Sequence, residues 1–302
     1  MAPSSRELPD KIGFLGFGEA AGAFADSLGT TVAGLQFAAW DIALGETDRS
    51  PAMREAMASR DVDILAGPDE FSECGWIFSA VTASQCLNAG KLIAAYIRPD
   101  QILIDINSVA PAVKRQVSDV VRARGADYLD MAVMAPVHPH GHGTPVCVAG
   151  SIVEEIWPLL RDIGFNGEAV GTEPGAATAI KMVRSLFVKG LEAITVEALL
   201  AAEASGCLDT ILASLSASYP GLGWPNIASY HFERLTRHGK RRSEEMMMSA
   251  ETLDALGLNG QLAREIATVH ATTQAASYGA TDGTLHTVVA EALMRRLKQT
   301  GT

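Results

Sequence analysis

The chain has 302 residues, 48 % hydrophobic and 20 % charged, enough to bury one or two sizeable cores, which excludes disorder and fibrous repeats. Its 24 basic and 35 acidic side chains give a net charge of −11, which repels phosphate backbones and anionic lipid and argues against general nucleic-acid or membrane partners. No apolar run suits a signal peptide or reaches the ~20 residues that span a bilayer, and Cys74, Cys86, Cys147 and Cys207 lie far apart with no CxxC pair, so a cytoplasmic protein with its cysteines in the core is expected.

The first half alternates short apolar runs with helical stretches. KIGFLGFG precedes a helix over 19–29, LQFAAWD a helix over 51–60, WIFSAVT a helix over 84–96, and QILIDIN a helix near 109–123. ADYLDMAV, PVCVAG, a helix over 152–163 and NGEAV complete about eight short strands. Such alternation predicts a parallel sheet with crossover helices.

After Gly171 the character changes. Residues 176–204 keep helical periodicity for about eight turns and are apolar on more than one face, which predicts a spine for a second, all-helical domain and for a dimer. Further helices are expected over 208–217, 225–237, 243–256, 259–278 and 284–298, separated by turns such as YPGLGWP, LGLNG and YGATDG. The expected division is 1–172, a Rossmann-type dinucleotide domain, and 173–302, a helical substrate and dimerisation domain, with an active site in the cleft between them. The fold class is thus α/β plus all-α. Charge follows the same division, with 22 acidic and 12 basic side chains up to residue 172 against 13 and 12 after it.

Gly16-Phe17-Gly18-Glu19-Ala20-Ala21 follows the apolar run Ile12–Leu15 and opens the helix AAGAFADSL, the context a GxGxxG/A fingerprint requires. Gly16 permits the tight turn, Gly18 the approach of a pyrophosphate, and Ala21 close packing of helix on strand, while the helix N-terminus offers amide donors. Asp41 ends the second strand where a carboxylate accepts from an adenosine ribose, and it disfavours a 2′-phosphate, so NAD is expected ahead of NADP, with Arg49 the residue that would serve NADP. Val81, Thr82 and Asn107 complete the candidate cofactor set.

Four motifs together resemble the β-hydroxyacid dehydrogenase family, related to 6-phosphogluconate dehydrogenase. GFGEAA is similar to its GxGxMG loop. Asp105-Ile106-Asn107-Ser108-Val109-Ala110-Pro111 is similar to its DxSTxxP segment, with Asn107 replacing the first Ser. Asp130–Pro136 with Gly143-Thr144 keeps the length of DAPVSGG…GT, but Met134, Ala135 and Pro136 replace SGG. Gly175–Lys181 resembles GSGQAAK, whose Lys is catalytic in the family; Arg184 and Ser185 stand where the family has two Asn. KMVRS…KG and Arg241-Arg242-Ser243-Glu244-Glu245-Met246 are similar to a divergent, phosphogluconate-dehydrogenase-like subgroup.

The resemblance implies a nicotinamide oxidoreductase in which Lys181 is the general acid and base. Burial and Arg184 would each lower its pKa. Ser185, at i+4, shares its helical face. Lys189 is read equally as a rim charge and as a solvated one. The basic run Arg237-His238-Gly239-Lys240-Arg241-Arg242 is read as a solvated helix start or, through His238, Arg241 and Arg242, as a grip on an anionic group. With Ser108, Met134, Ala135, Pro136, Arg184 and Ser185 these make the candidate substrate set. His138, His140 and His142 have no Cys or carboxylate beside them, so their loop is expected to wall the substrate and no metal is expected. Met182, Met246–Met248 and Met294 read as core. The expected reaction is hydride transfer between nicotinamide and a small, anionic or aromatic hydroxy or keto compound. The alternatives are reduction of an imine or bulky ketone, motivated by the apolar Met134-Ala135-Pro136, and a non-catalytic dinucleotide sensor.

Overall fold

The computed structural model describes residues 7–275 and 283–300. The end of the helix expected to reach 278, and the YGATDG turn up to residue 282, lie outside the described residues. The chain forms two compact units, Met1–Lys181 and Met182–Thr302.

In the first unit β1 (Lys11–Leu15) leads to α1 (Glu19–Thr31), β2 (Gln36–Trp40) to α2 (Ser50–Ala58), β3 (Val62–Ile64) and β4 (Trp76–Ser79) to α3 (Cys86–Ala94), and β5 (Ile102–Asp105) to α4 (Pro111–Arg122). The remainder is β6 (Asp127–Val133), β7 (Val146–Ala149), α5 (Val153–Asp162) and β8 (Gly167–Gly171). These strands form one sheet in the order β3-β2-β1-β4-β5-β6-β7-β8. Alternate strand residues fill two cores. Phe14, Phe78, Ile104 and Leu129 pack with Phe24 and Leu28 of α1 and Ile156 and Leu160 of α5. Leu15, Ile77, Leu103 and Tyr128 meet Ile93 of α3 and Val117 and Val121 of α4. Burial on both faces is why the strands read as continuous apolar runs.

The expected eight strands are present, one of them unnamed in the sequence, and one expectation is corrected. β3 is absent from the named runs because it has three residues, one of them the exposed Asp63. The sheet is not wholly parallel, since β7 runs antiparallel to β6. The connection over 134–145 carries only the short 3₁₀ turn Gly141–Gly143, and a parallel return needs a crossover that usually includes a helix.

The long helix α6 (Ala176–Ala204) continues into the second unit, followed by α7 (Leu208–Ser218), α8 (Asn226–Ala255), α9 (Gln261–Ala275) and α10 (Leu285–Thr300). Val196, Leu199, Phe232, Leu235 and Val289 make one core there, and Ala193, Met246, Ala250, Ala263 and Ile266 another. The helices expected over 225–237 and 243–256 are a single one, α8. Gly239 at its middle permits the contact with α9, because an added Cβ would collide with the His270 carbonyl and with Gln274. That close packing offsets the cost of a helical glycine, about 1 kcal/mol. No helix among the described residues is long and apolar enough to cross a membrane.

Candidate active site

The order of the sheet reverses between β1 and β4, and in open α/β sheets ligands bind outside the carboxyl ends of the strands at such a point. Gly16 turns there with φ +87°; a Cβ on it would lie 2.6 Å from the Ala80 carbonyl oxygen and 2.8 Å from Val81 Cγ1. Gly18 caps α1 in an extended conformation with no side-chain cap among the described residues, and nothing lies within 4 Å of the place its Cβ would take. The backbone at the start of α1 is therefore open to close approach at Gly18, a fit for a pyrophosphate at a helix N-terminus. Glu19 is exposed and Ala20 half-buried beside them, whereas the Phe17 side chain is buried against Phe14, with ring centroids 5.8 Å apart. Phe17 thus offers the loop its backbone, not its ring.

Asp41 acts on this loop directly. Its Oδ2 accepts from the Phe17 N–H at 2.8 Å and its Oδ1 from the Ala43 N–H at 2.8 Å. Each oxygen keeps a second acceptor site for a ribose hydroxyl. Asn107 is buried and committed: its Oδ1 accepts from Val81 N–H at 2.7 Å while its Nδ2 donates to Asp105 at 2.7 Å and to Ser79 Oγ at 2.9 Å. Its place in the cofactor set is therefore to hold Val81 against Gly16. Thr82 is exposed at the same rim. Loop amides, an open cradle and an acidic strand end together fit a dinucleotide.

The residue after Asn107 reaches the lysine, since Lys181 Nζ donates to Ser108 Oγ at 2.5 Å, with both residues half-buried. The start of α6 is fastened beneath them. Thr178 Oγ1 donates to the Val109 carbonyl at 2.9 Å, and Asp130 Oδ2 accepts from the Gly175 and Thr178 amides at 3.1 Å each. Met134 packs against the apolar cluster of Ala132, Cys147, Ala149 and Ala177, while Ala135 and Pro136 are exposed just beyond β6.

A buried ionic group that sequence reasoning missed underlies this arrangement. Lys114 of α4 has no exposed side-chain surface and pairs with Asp105 at 2.9 Å and Asp130 at 3.2 Å. Burial pulls its pKa down, but Asp105 and Asp130 together outweigh that and raise it. Burial raises the Asp130 pKa, with Lys114 and the Thr178 amide opposing. Tyr128 donates to Asp105 at 2.9 Å and is held well above its ordinary pKa by burial and by that carboxylate. Cys86, pushed up to about 12 by burial and Asp105, is no nucleophile. A signal for Lys114 was present: it shares the i, i+3, i+7 face of Val117 and Val121.

The candidates on the second unit divide differently. Arg184 is exposed, His238 half-buried and Ser185 buried. The basic run is not one anionic grip, because successive helical residues point about 100° apart and each Arg meets its own carboxylate. Arg237 pairs with Glu233 at 3.3 Å, Arg241 with Glu245 at 3.8 Å, and the buried Arg242 with Glu192. Lys189 is likewise no solvated rim charge: it is 5 % exposed, donates to Ser185 Oγ at 3.1 Å and pairs with Glu245 at 2.9 Å. Burial lowers its pKa, with Glu245 opposing. His231 and His270 are both lowered to about 4 by burial and stay neutral at pH 7.

The reading of the histidine loop as a substrate wall is corrected at His142. This residue is buried, with Nδ1 2.7 Å from Ser27 Oγ on α1, Nε2 2.9 Å from the Ile163 carbonyl, and its ring edge-on to Phe165. It ties the loop to the scaffold, while His138 and His140 are exposed.

A family model described as the NAD binding domain of 6-phosphogluconate dehydrogenase matches residues 11–171, more than half of the chain, and a domain of unknown function (DUF1932) matches 202–273. A conserved hypothetical protein from Sinorhizobium meliloti 1021 is 32 % identical, with 96 % of this chain and 98 % of that one covered and a TM-score of 0.79. The NAD-dependent L-serine dehydrogenase of Pseudomonas aeruginosa is 24 % identical over 71 % of each chain. The Mycobacterium tuberculosis 3-hydroxyisobutyrate dehydrogenase, solved with L-serine, shares the fold at 18 % identity, 94 % and 99 % coverage and a TM-score of 0.73. With the cofactor loop and its matching domain in place, the chain belongs to the β-hydroxyacid dehydrogenase and 6-phosphogluconate dehydrogenase-like family and is an NAD(P)-dependent oxidoreductase.

Proposed function

We propose that this enzyme interconverts a short hydroxy acid and its keto form, with Lys181 moving the proton and NAD preferred over NADP. The observation that carries the reading is the Lys181–Ser108 hydrogen bond, joined through Asn107 and Val81 to the dinucleotide loop. When bound, the nicotinamide supplies the hydride acceptor or donor. In oxidation, Lys181 as the free amine takes the hydroxyl proton; in reduction its ammonium returns that proton to the carbonyl oxygen. Ser108 accepts the Lys181 N–H, which leaves its own O–H to donate to the same substrate oxygen. Asp41 at the ribose end supports NAD.

The printed activities of the Pseudomonas and Mycobacterium proteins suggest the first probes. With NAD and NADP in parallel, L-serine and 3-hydroxyisobutyrate are compared with cyclic imines and aryl ketones by following nicotinamide absorbance. Turnover of a hydroxy acid with NAD is expected. Turnover of imines or ketones alone replaces this reading with the second one, which the apolar surroundings of Met134 favour.

Two copies are expected to pair through the outer face of α6, where Val183, Phe187 and Ile194 are 54, 73 and 65 % exposed. Sedimentation at micromolar concentration should give a dimer, and a monomer overturns this. Four free cysteines support a reducing, cytoplasmic setting.

A further inference from the structure

We propose that Thr178 is a positioning residue for proton transfer: its hydroxyl holds the Ser108-Val109 segment against the first turns of α6 and so keeps Ser108 within hydrogen-bond reach of Lys181. This rests on the reading of Lys181 as the proton carrier and on no particular substrate.

All the groups involved belong to the first unit. Two hydrogen bonds run side by side between the same two pieces of chain. Lys181 Nζ donates to Ser108 Oγ at 2.5 Å, and Thr178 Oγ1 donates to the carbonyl of the next residue, Val109, at 2.9 Å. Thr178 and Lys181 are three apart on α6 and are therefore neighbours on its surface. The four residues close a ring, with Thr178 on one side and the reacting amine on the other. Lysine reaches its partner through a long, flexible stem, whereas the β-branched threonine does so from a side chain stiff at χ1. The shorter arm sets the register that the longer one follows.

The hydroxyl of Thr178 is committed in an unusual direction. A threonine inside a helix commonly returns its proton to the carbonyl four residues earlier, as Thr195, Thr252 and Thr273 do on Leu191, Met248 and Val269. Thr178 instead donates out of its helix to a residue 69 positions away. With Thr178 and Val109 0 and 1 % exposed, that bond is shielded from water. The Thr178 amide is one of the early helix donors that lack a partner within the helix, and it goes to Asp130 Oδ2 at 3.1 Å. Ser108 thus lies in a stretch held at Asp105 by Lys114, at Asn107 by Val81 and at Val109 by Thr178. Of these anchors, Thr178 is the one that shares a helix with Lys181.

The test uses the full chain with NAD or NADH and whichever compound, acid or imine, the substrate comparison shows to turn over. Thr178→Val keeps the shape and removes the hydroxyl. Its kcat should fall about 10–100-fold, the worth of a misplacement on the order of 1 Å, with KM within about twofold and NADH affinity unchanged. Thr178→Ser keeps the donor and should retain most of kcat. In a Ser108→Ala background the further loss from Thr178→Val should stay below about threefold, because the contact that Thr178 arranges is already gone. Should Thr178→Val fail to fold, Thr178→Ala replaces it, since the smaller side chain leaves room for a water at the Val109 carbonyl. Wild-type kcat in the folded variant, a Thr178→Ser enzyme as slow as Thr178→Val, or losses that multiply with Ser108→Ala overturn the inference. Near-normal turnover in Lys181→Ala overturns the underlying reading instead, so the two failures are told apart. A wild type that turns over no compound removes that reading and this inference with it.

Discussion

Lys181→Ala is expected to lose turnover by about 10²–10⁴-fold, the usual worth of a positioned general acid or base, while NADH binds as in the wild type. The separation follows from where the atoms are. The cofactor cradle is made of the Gly16–Ala20 backbone, the open side of Gly18 and the Asp41 carboxylate. Lys181 instead meets Ser108, and the first turn of its helix hangs from Asp130 and Val109. Lys181→Arg distinguishes charge from proton transfer, because guanidinium keeps the positive charge but does not release its proton near neutral pH. Arg should therefore rescue substrate binding and not turnover. NADH titration by fluorescence, beside steady-state turnover, separates the two. Near-normal turnover in the Ala variant would remove Lys181 from the chemistry.

The features legible in the sequence were those that local chemistry dictates. The run Ile12–Leu15 and the glycines after it announce a buried strand and a phosphate turn, because only a residue without Cβ fits against Ala80 at φ +87°. The 29 residues of α6 announce themselves through their periodicity. What stayed hidden depends on partners remote in sequence. Lys114 passed unnoticed and Lys189 read equally as a rim charge and a solvated one, since nothing adjacent reveals that carboxylates 9 and 56 residues away, Asp105 and Glu245, meet them in the interior. Gly239 fell in the gap between the helices expected over 225–237 and 243–256, where its missing side chain lets α9 approach a single continuous helix. The arginines of 237–242 read as one cluster because they are adjacent in the chain, while the helix turns them toward different carboxylates. Asn107 matched a motif position, and only its partners Val81, Ser79, Cys86 and Asp105 show that it holds the loop.

Lys114→Met should destabilise the first unit by about 3–5 kcal/mol, the range for breaking a buried ion pair from one side. The loss comes less from the attraction removed than from what remains, two carboxylates buried together without a cation. Asp105 has other donors in Tyr128 and the Asn107 amide. Asp130 has the Gly175 and Thr178 amides on one oxygen, while its other oxygen faces Lys114. The pH dependence follows in sign. A raised lysine pKa in the folded state means that the wild-type contribution is complete below the unfolded value near 10.5 and is lost as pH rises through the folded value. In the variant the deficit should be largest near pH 7 and shrink on acidification, as one of the two carboxylates takes up a proton. Urea unfolding followed by tryptophan emission reports mainly on this unit, since Trp40, Trp76 and Trp157 lie in it and only Trp224 lies outside. Adding Asp130→Asn to Lys114→Met should recover part of the loss, because the amide oxygen can still accept from α6 while one buried charge is gone. A single variant as stable as the wild type would mean that water reaches the site. A double variant that regains stability and turnover together would tie the buried pair to the position of Lys181, because Asp130 is the group that joins the ionic cluster to the first turn of α6.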